Sequence, residues 1–239
     1  MKTLRAAVLL ALASSLVLPV MAAAEEWACS PWETISPSPF PLDLATVVHA
    51  SGQFWGFGAT GVAVSPDGLR WQRKSRVSGQ LSSALWTGTE FLGTAGNTVV
   101  ASSDGVRWSV RHEAWQDPIF FTIDLRSIAS GGGRFVAVGE DYSGRFYMWS
   151  PVVLTSADGV TWSRPPLPPV SDSSHSSLSS VIWAKGRFLA SGSYLLSSPD
   201  GESWTVNESV TGASLASDGD LVVVAGDEGL SLSRDLSAW

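Results

Sequence analysis

Short apolar runs recur along the chain from residue 44 onward, each bounded by Gly, Ser or Asp. Four runs begin at a Phe that follows a Leu by ten residues, with a glycine turn between them: Leu44 and Phe54, Leu81 and Phe91, Leu125 and Phe135, and Leu178 and Phe188. Apolar runs of this length between turn residues predict β-strands. No stretch after residue 24 has the sustained 3.6-residue period of a helix. The pattern therefore predicts an all-β chain.

A second motif, Ser-x-Asp-Gly-x-x-Trp, closes each repeat. It occurs at residues 65–71, 102–108, 156–162 and 198–204, and a fifth copy at 233–239 has Leu236 in place of Gly. The motif tryptophans lie 37, 54, 42 and 35 residues apart, a period typical of repeat architectures. Each repeat has room for four strands, A to D, which predicts five β-propeller blades over 44–71, 81–108, 125–162, 178–204 and 211–239. A sandwich of unrelated hairpins would not explain the spacing.

The motif has a physical explanation as a turn between strands C and D. The Asp carboxylate is expected to accept hydrogen bonds from the N–H groups that follow it, Gly supplies a positive φ, and Trp buries a large ring. These structural residues are Ser65, Asp67, Trp71, Ser102, Asp104, Trp108, Ser156, Asp158, Trp162, Ser198, Asp200, Trp204, Asp235 and Trp239. One aspartate per blade cannot converge with the others on an ion, so no metal and no cofactor is predicted.

These turns resemble the Asp-box, the bacterial neuraminidase repeat found in sialidases and in many non-enzymatic propellers. The resemblance covers nearly all of residues 44–239. The usual box has one more residue between Asp and Gly, whereas here Gly68, Gly105, Gly159 and Gly201 follow Asp directly. The resemblance implies the propeller fold, but a fold does not by itself imply an activity.

The first 24 residues have the features of a signal peptide. Lys2 and Arg5 precede an apolar run, and Ala22 and Ala24 provide small residues for cleavage. The run of about 13 residues is shorter than the roughly 20 needed to span a bilayer. An uncleaved anchor and a lipoprotein modified at Cys29 are the alternatives. We predict a periplasmic or secreted protein with no membrane span after cleavage.

Residues 25–43 form an N-terminal segment that contains a candidate closing strand near 32–35. Trp32-Glu-Thr-Ile35 resembles the start of a strand D, which the fifth repeat lacks because it stops at Trp239. Pairing with blade five would close the ring and remove an open edge. The alternative is an array truncated after Trp239.

Charge and cysteine content restrict the partners. Without the signal peptide, 13 Lys and Arg face 22 Asp and Glu, a net charge of 13 − 22 = −9. An acidic chain without basic runs argues against nucleic acid and anionic membranes. The single cysteine, Cys29, allows no intramolecular disulfide. A monomer is expected.

No convincing catalytic constellation is present. Arg126 is the only charge among the predicted inner-strand residues. Two of the three tyrosines, Tyr142 and Tyr147, fall in one loop, and the three histidines fall in different repeats. No metalloprotease motif or nucleophile elbow occurs. The sequence therefore favours a non-enzymatic propeller over a sialidase-like glycoside hydrolase.

The longest B–C connection, Glu140–Pro151, is the candidate binding element, because loops that vary in length carry function. With the D–A loop of blade two, it supplies these candidate binding residues: Trp115, Phe120, Phe121, Asp141, Tyr142, Arg145, Tyr147 and Trp149. A binding or assembly scaffold for a protein is the favoured function, and a carbohydrate-binding module is the alternative. A flat exposed aromatic platform would favour sugar, whereas a broad apolar patch would favour a protein.

Overall fold

The computed structural model describes residues 43–76, 80–114, 121–143, 148–171 and 175–239. All of them belong to the compact unit Ser38–Trp239. They form five antiparallel sheets in chain order, each made of strands that follow one another along the sequence. The predicted signal peptide (residues 1–24) and the predicted closing strand (near residues 32–35) lie outside the described residues.

The strands are assigned to blades as follows. Blade one contains β1 (Leu44–Ala50), β2 (Gln53–Gly58), β3 (Gly61–Ser65) and β4 (Gln72–Ser75). Blade two contains β5 (Ser83–Trp86), β6 (Phe91–Ala95), β7 (Thr98–Ser102) and β8 (Ser109–Glu113). Blade three contains β9 (Phe121–Gly131), β10 (Arg134–Ser143) and β11 (Met148–Ser156). Blade four contains β12 (Leu178–Ala184), β13 (Arg187–Gly192), β14 (Leu195–Ser198) and β15 (Thr205–Asn207). Blade five contains β16 (Ser214–Ser217), β17 (Val222–Gly226) and β18 (Gly229–Ser233).

The two three-stranded sheets end differently. In blade three, the backbone of Ser163 pairs with that of Thr155 through N–H to carbonyl bonds of 3.0 and 2.9 Å, so one residue stands where strand D would run. In blade five, β18 is the outermost strand of its sheet. Its outer edge has no partner strand among the described residues, and it is the position at which the sequence predicted an N-terminal strand.

The hydrophobic core lies between blades. Leu92 and Val99 of blade two pack with Leu125 and Leu154 of blade three, and similar clusters join blades one and two, three and four, and four and five. Inner strands also lie side by side in order: β1 with β5, β5 with β9, β9 with β12, and β12 with β16. Among the described strands, no comparable packing joins β16 to β1.

The architecture confirms the predicted all-β fold of five propeller blades, with three or four antiparallel strands in each sheet. One local expectation was wrong. The insertion Glu140–Pro151 was expected to be a loop, yet β10 and β11 continue to pair through it as far as Ser143 and Met148. The stretch 139–143 contains only one large apolar side chain, that of Tyr142, which is why a search for apolar runs missed this part of the strand.

Candidate functional site

The B–C turns and D–A connections lie at one end of the blades, called here the insertion face. Four B–C turns have only two residues between strands, at 59–60, 96–97, 193–194 and 227–228. Blade three differs, because its three strands run several residues further. This blade-three extension consists of residues 121–125, 139–143 and 148–152, and it is the main departure from the repeat at the insertion face.

The candidate binding residues are only partly brought together. Asp141 and Tyr142 lie on β10, and Trp149 lies on β11. Phe121 begins β9 and pairs with Ser143 through the backbone. The remaining candidates, Trp115, Phe120, Arg145 and Tyr147, lie outside the described residues.

Tyr142 and Trp149 are cross-strand neighbours whose rings lie 4.4 Å apart at an angle of 37°. Trp149 keeps 37% of its surface exposed, as does Met148 beside it. The carbonyl of Trp149 accepts a hydrogen bond from the Ser176 N–H at 3.1 Å, which ties the extension to the segment that leads into blade four. The exposed aromatic pair therefore sits on a backbone that is fixed from both sides.

An ion-pair group lies next to Tyr142 on the same face of the blade-three sheet, two residues closer to the centre of the strand. Arg126 pairs with the buried carboxylate of Glu140, and its Nε lies 3.6 Å from the Asp124 carboxylate. The Arg126 side chain is 40% exposed, so solvent weakens these pairs. With a carboxylate on two sides, Arg126 acts as a structural partner of the extension and not as an unpaired clamp for a substrate carboxylate.

A second link holds the other side of the extension. Arg164 lies 3.4 Å from the Asp141 carboxylate and donates to the Pro151 carbonyl at 3.2 Å. A shallow groove lined by Pro165, Pro166 and Leu167 begins there. The link fixes the start of a proline-rich connection against the outer strand of the extension.

A cavity of about 390 Å³ opens on the insertion face between blades four and five. Its lining combines hydroxyls, small residues and two carboxylates: Ser177, Ser179, Gly192, Ser193, Thr211, Gly212, Ala213, Gly226, Asp227 and Glu228. Such a lining can donate and accept hydrogen bonds and can attract a cation. The sequence did not point to this site, because Asp227 and Glu228 look like any solvated turn until blade four is placed beside them.

The five Ser-x-Asp turns, called here the box turns, lie at the opposite end of the blades and share one geometry. In the third copy, Ser156 Oγ accepts the Gly159 N–H at 2.9 Å, and Asp158 Oδ1 accepts the N–H groups of Val160 and Thr161 at 2.8 and 2.7 Å. These backbone donors hold the pKa of the Asp158 carboxyl at about 2, below its ordinary 3.8. The carboxylates are therefore engaged in their own turns.

The fifth turn keeps this geometry without glycine. Leu236 adopts a φ of +66°, close to the +70 to +76° of the four box glycines, and its N–H donates to Ser233 Oγ at 2.8 Å. The Ser and Asp hydrogen bonds therefore hold the turn even where a side chain makes the backbone unfavourable.

No catalytic arrangement is found among the described residues. Burial raises the pKa of the Tyr194 hydroxyl, which moves that group away from activation as a nucleophile. Tyr142 packs on Trp149, and no cluster of three metal-ligating side chains occurs in the described ranges. No described helix has the length and hydrophobicity to cross a bilayer.

Neither a protein-family model nor a curated protein matches the sequence. Among solved structures, the chain is similar to the extracellular domain of a one-component system protein from B. thetaiotaomicron, with a TM-score of 0.58, 13% identity and coverage of 83% of this chain and 28% of that one. It is also similar to YCF48 bound to D1 peptide, with a TM-score of 0.50, 18% identity and coverage of 81% and 64%.

A gluconolactonase from Xanthomonas campestris gives a TM-score of 0.50 at 11% identity, covering 77% of this chain and 69% of that one. The chain spans less than two thirds of the first two proteins. At these identities the likeness extends to the propeller fold alone.

Proposed function

We propose that this chain is an exported, non-enzymatic propeller of the Asp-box type that acts as a binding or assembly scaffold for a protein partner. The blade-three extension carries the proposal, because it adds half-exposed apolar side chains to the end of the blades where connections vary in length. Recognition residues concentrate on such elements when a rigid scaffold supports them.

The exposed residues of the extension favour a polypeptide over a sugar. Successive strand residues point to opposite faces, so Met148 and Trp149 present apolar surface on both sides of the tip. The 37° tilt between Tyr142 and Trp149 differs from the coplanar platform that suits a sugar ring. Aromatic side chains and Met are enriched in protein interfaces. YCF48, of similar fold, is known in a complex with a peptide, which is compatible with this use of a propeller.

The cavity between blades four and five would serve the same partner. It opens on the insertion face, as the extension does, and its hydroxyls and carboxylates complement the apolar tip. A partner that spans both would place apolar side chains against Trp149 and a polar or basic group against Asp227 and Glu228. Such a division of roles is typical of interfaces with a small apolar core and a polar rim.

Export and the N-terminal strand are part of the proposal. Residues 1–24 would direct the chain to the periplasm or the medium, where a charge of −9 keeps it soluble. Residues 32–35 would pair with the free edge of β18 and complete the fourth strand of blade five. An exposed strand edge is otherwise a site of aggregation.

Carbohydrate binding is the second candidate. The Tyr142–Trp149 pair offers an aromatic face, and the serine-rich cavity offers hydroxyl hydrogen bonds to a polyol. Both features are also expected of a protein interface, so a direct comparison is required.

Capture from the native envelope tests the two candidates together. The bait is the exported chain, and the variant Trp149→Ala is compared with Val160→Ser, an exposed apolar residue at the Asp-box end. The proposal predicts a polypeptide retained by the parent and by Val160→Ser and lost with Trp149→Ala. A glycan array is probed with the same three proteins. Glycan binding that needs Trp149, with no such polypeptide, would favour the second candidate, and no dependence on Trp149 would reject both.

A further inference from the structure

Each blade has a trailing face toward the next blade in sequence and a leading face toward the preceding one. One strand C position on the trailing face can be compared across all blades, because the strand register defines it. The strand B and strand C pairs are Phe57 with Val62, Thr94 with Val99, Val138 with Val153, Ser191 with Leu195, and Ala225 with Leu230.

Burial at this position separates blade five from the rest. Val62, Val99 and Val153 are 0% exposed and Leu195 is 4% exposed, because each packs into the cluster shared with the next blade. Leu230 is 67% exposed. Leu232, on the same face of β18, is also exposed. The trailing face of blade five thus has the residues of a blade–blade contact, and no blade of the described part of the chain lies against it.

The leading face of blade one is its counterpart. Val47 is 51% exposed, whereas the equivalent strand A residues Ile128 and Val181 are 5% and 4% exposed. Trp71 lies against Gly56 of its own blade, as Trp108 lies against Gly93 in blade two, but Trp108 also contacts Phe57 of the preceding blade. Blade one therefore presents the apolar strand and the tryptophan that a following blade normally presents.

A recurring hydrogen bond identifies the matching atoms. Ser83 Oγ accepts the Ile128 N–H at 3.4 Å, Ser127 Oγ accepts the Val181 N–H at 3.1 Å, and Ser180 Oγ accepts the Leu215 N–H at 3.3 Å. Each joins an inner strand to that of the next blade. By register, the next acceptor in this series is the exposed Ser214, and the equivalent donor in blade one is Val47.

We propose that copies of this chain assemble head to tail, with the trailing face of blade five in one copy against the leading face of blade one in the next. Each of the four contacts between consecutive blades is of this kind. The trailing face of one blade packs against the leading face of the next, and the contact includes the box tryptophan of the next blade. Among the described residues, the leading face left exposed is that of blade one, and β16 and β1 of the same chain do not pack together as neighbouring inner strands do.

The contact is heterologous, since different surfaces meet, so it produces a ring or an open chain of copies according to the rotation between them. The proposed assembly is an alternative to the expected monomer, and it does not depend on the proposed binding function.

Site-directed crosslinking tests the contact. One chain carries Ser214→Cys and a second carries Val47→Cys, both with Cys29→Ser so that no other thiol is present. The variant Ser127→Cys with Val181→Cys in one chain is the positive control, because these residues already meet across blades three and four. Mild oxidation of the mixture is expected to give a covalent dimer in an amount that rises with concentration.

Two results would overturn the proposal. A disulfide within single chains that carry both Ser214→Cys and Val47→Cys would mean that the blades close on themselves. No disulfide in the mixture, with the control pair oxidised, would mean that another element covers the face.

A second measurement avoids introduced thiols. Leu230→Asp should raise the dissociation constant of self-association, measured by sedimentation velocity, by at least about tenfold, since a charge would enter an apolar contact. Leu69→Asp, at an exposed leucine of the first box turn, is the matched control and should leave it unchanged. Parent protein that stays monomeric at all concentrations, or equal effects of both variants, would contradict the assembly.

Discussion

The hydroxyl of Ser127 in blade three accepts a hydrogen bond from the backbone N–H of Val181 in blade four at 3.1 Å. This contact joins two inner strands that share no sheet, and it repeats between blades two and three and between blades four and five. Serine hydroxyls on the inner strands therefore provide hydrogen bonds between blades that share no sheet. Further from the inner strands, apolar clusters and tryptophans fill the space between neighbouring blades. The stability of the propeller depends on both.

The box tryptophans should dominate that stability. Trp162 is buried in the cluster between blades two and three, so Trp162→Ala should lower the free energy of unfolding by about 3–5 kcal/mol. Asp158→Ala removes turn hydrogen bonds at the surface and should cost less. Chemical denaturation of both variants measures the difference. Equal stabilities of the two variants and the parent would show that the boxes do not anchor the blades.

Two box glycines that share a backbone conformation should respond differently to alanine. Gly105 and Gly159 have φ values of +70° and +72°, so both replacements incur left-handed strain of about 1–2 kcal/mol. A Cβ at Gly105 would lie 2.6 Å from the Trp55 ring of blade one, whereas a Cβ at Gly159 would meet only ordinary contacts with Leu92 and Phe135. Gly105→Ala should therefore be more destabilising, by about 1–3 kcal/mol. Equal losses in denaturant melts would mean that box glycines matter only for their φ.

Acid should weaken the fold through the box carboxylates. Backbone N–H groups hold the pKa of Asp158, Asp200 and Asp235 at about 2, below the ordinary 3.8. A lowered folded-state pKa contributes stability that is present above the unfolded value and is lost as the pH falls toward the folded one. The melting temperature should therefore fall between about pH 4 and pH 2.

A substitution isolates this contribution. Asp200→Asn removes one titrating box group, so the melting temperature should fall less steeply over the same pH range. Val160→Ser, which changes an exposed side chain of the third box turn without removing a titrating group, is the control and should leave the slope of the parent. A slope unaffected by Asp200→Asn would separate acid unfolding from the box turns.

The repeat made much of the fold predictable, and the reasons are local. The spacing of each Leu, Phe and box Trp specifies strands and turns, and Ser233 and Asp235 identified the fifth turn although Leu236 replaces its glycine. The left-handed φ of Leu236 was not predicted, because leucine rarely adopts it. The cavity beside Asp227 was not predictable, because it exists only between two blades. The exposure of Leu230 was not predictable either, since its sequence context matches that of Leu195, which is buried.

The N-terminal segment should matter for stability and solubility. Deletion of residues 25–36 removes the candidate strand for the free edge of β18, so the melting temperature should fall and aggregation should increase. Thermal melts followed by light scattering measure both. Deletion of residues 1–24 alone is the control, because it removes the predicted signal peptide and keeps the candidate strand. Unchanged melting and scattering after the longer deletion would refute a strand at 32–35 and would favour a truncated array.

The central claim is that the blade-three extension binds a protein partner, and photocrosslinking in the native envelope tests it most directly. A photoreactive phenylalanine analogue replaces Trp149 in one variant and Val160, in the third box turn at the opposite end of the blades, in the control. The account predicts one crosslinked polypeptide, identified by mass spectrometry, with the probe at 149 and its absence with the probe at 160. The same products from both positions, or no polypeptide at 149, would contradict it.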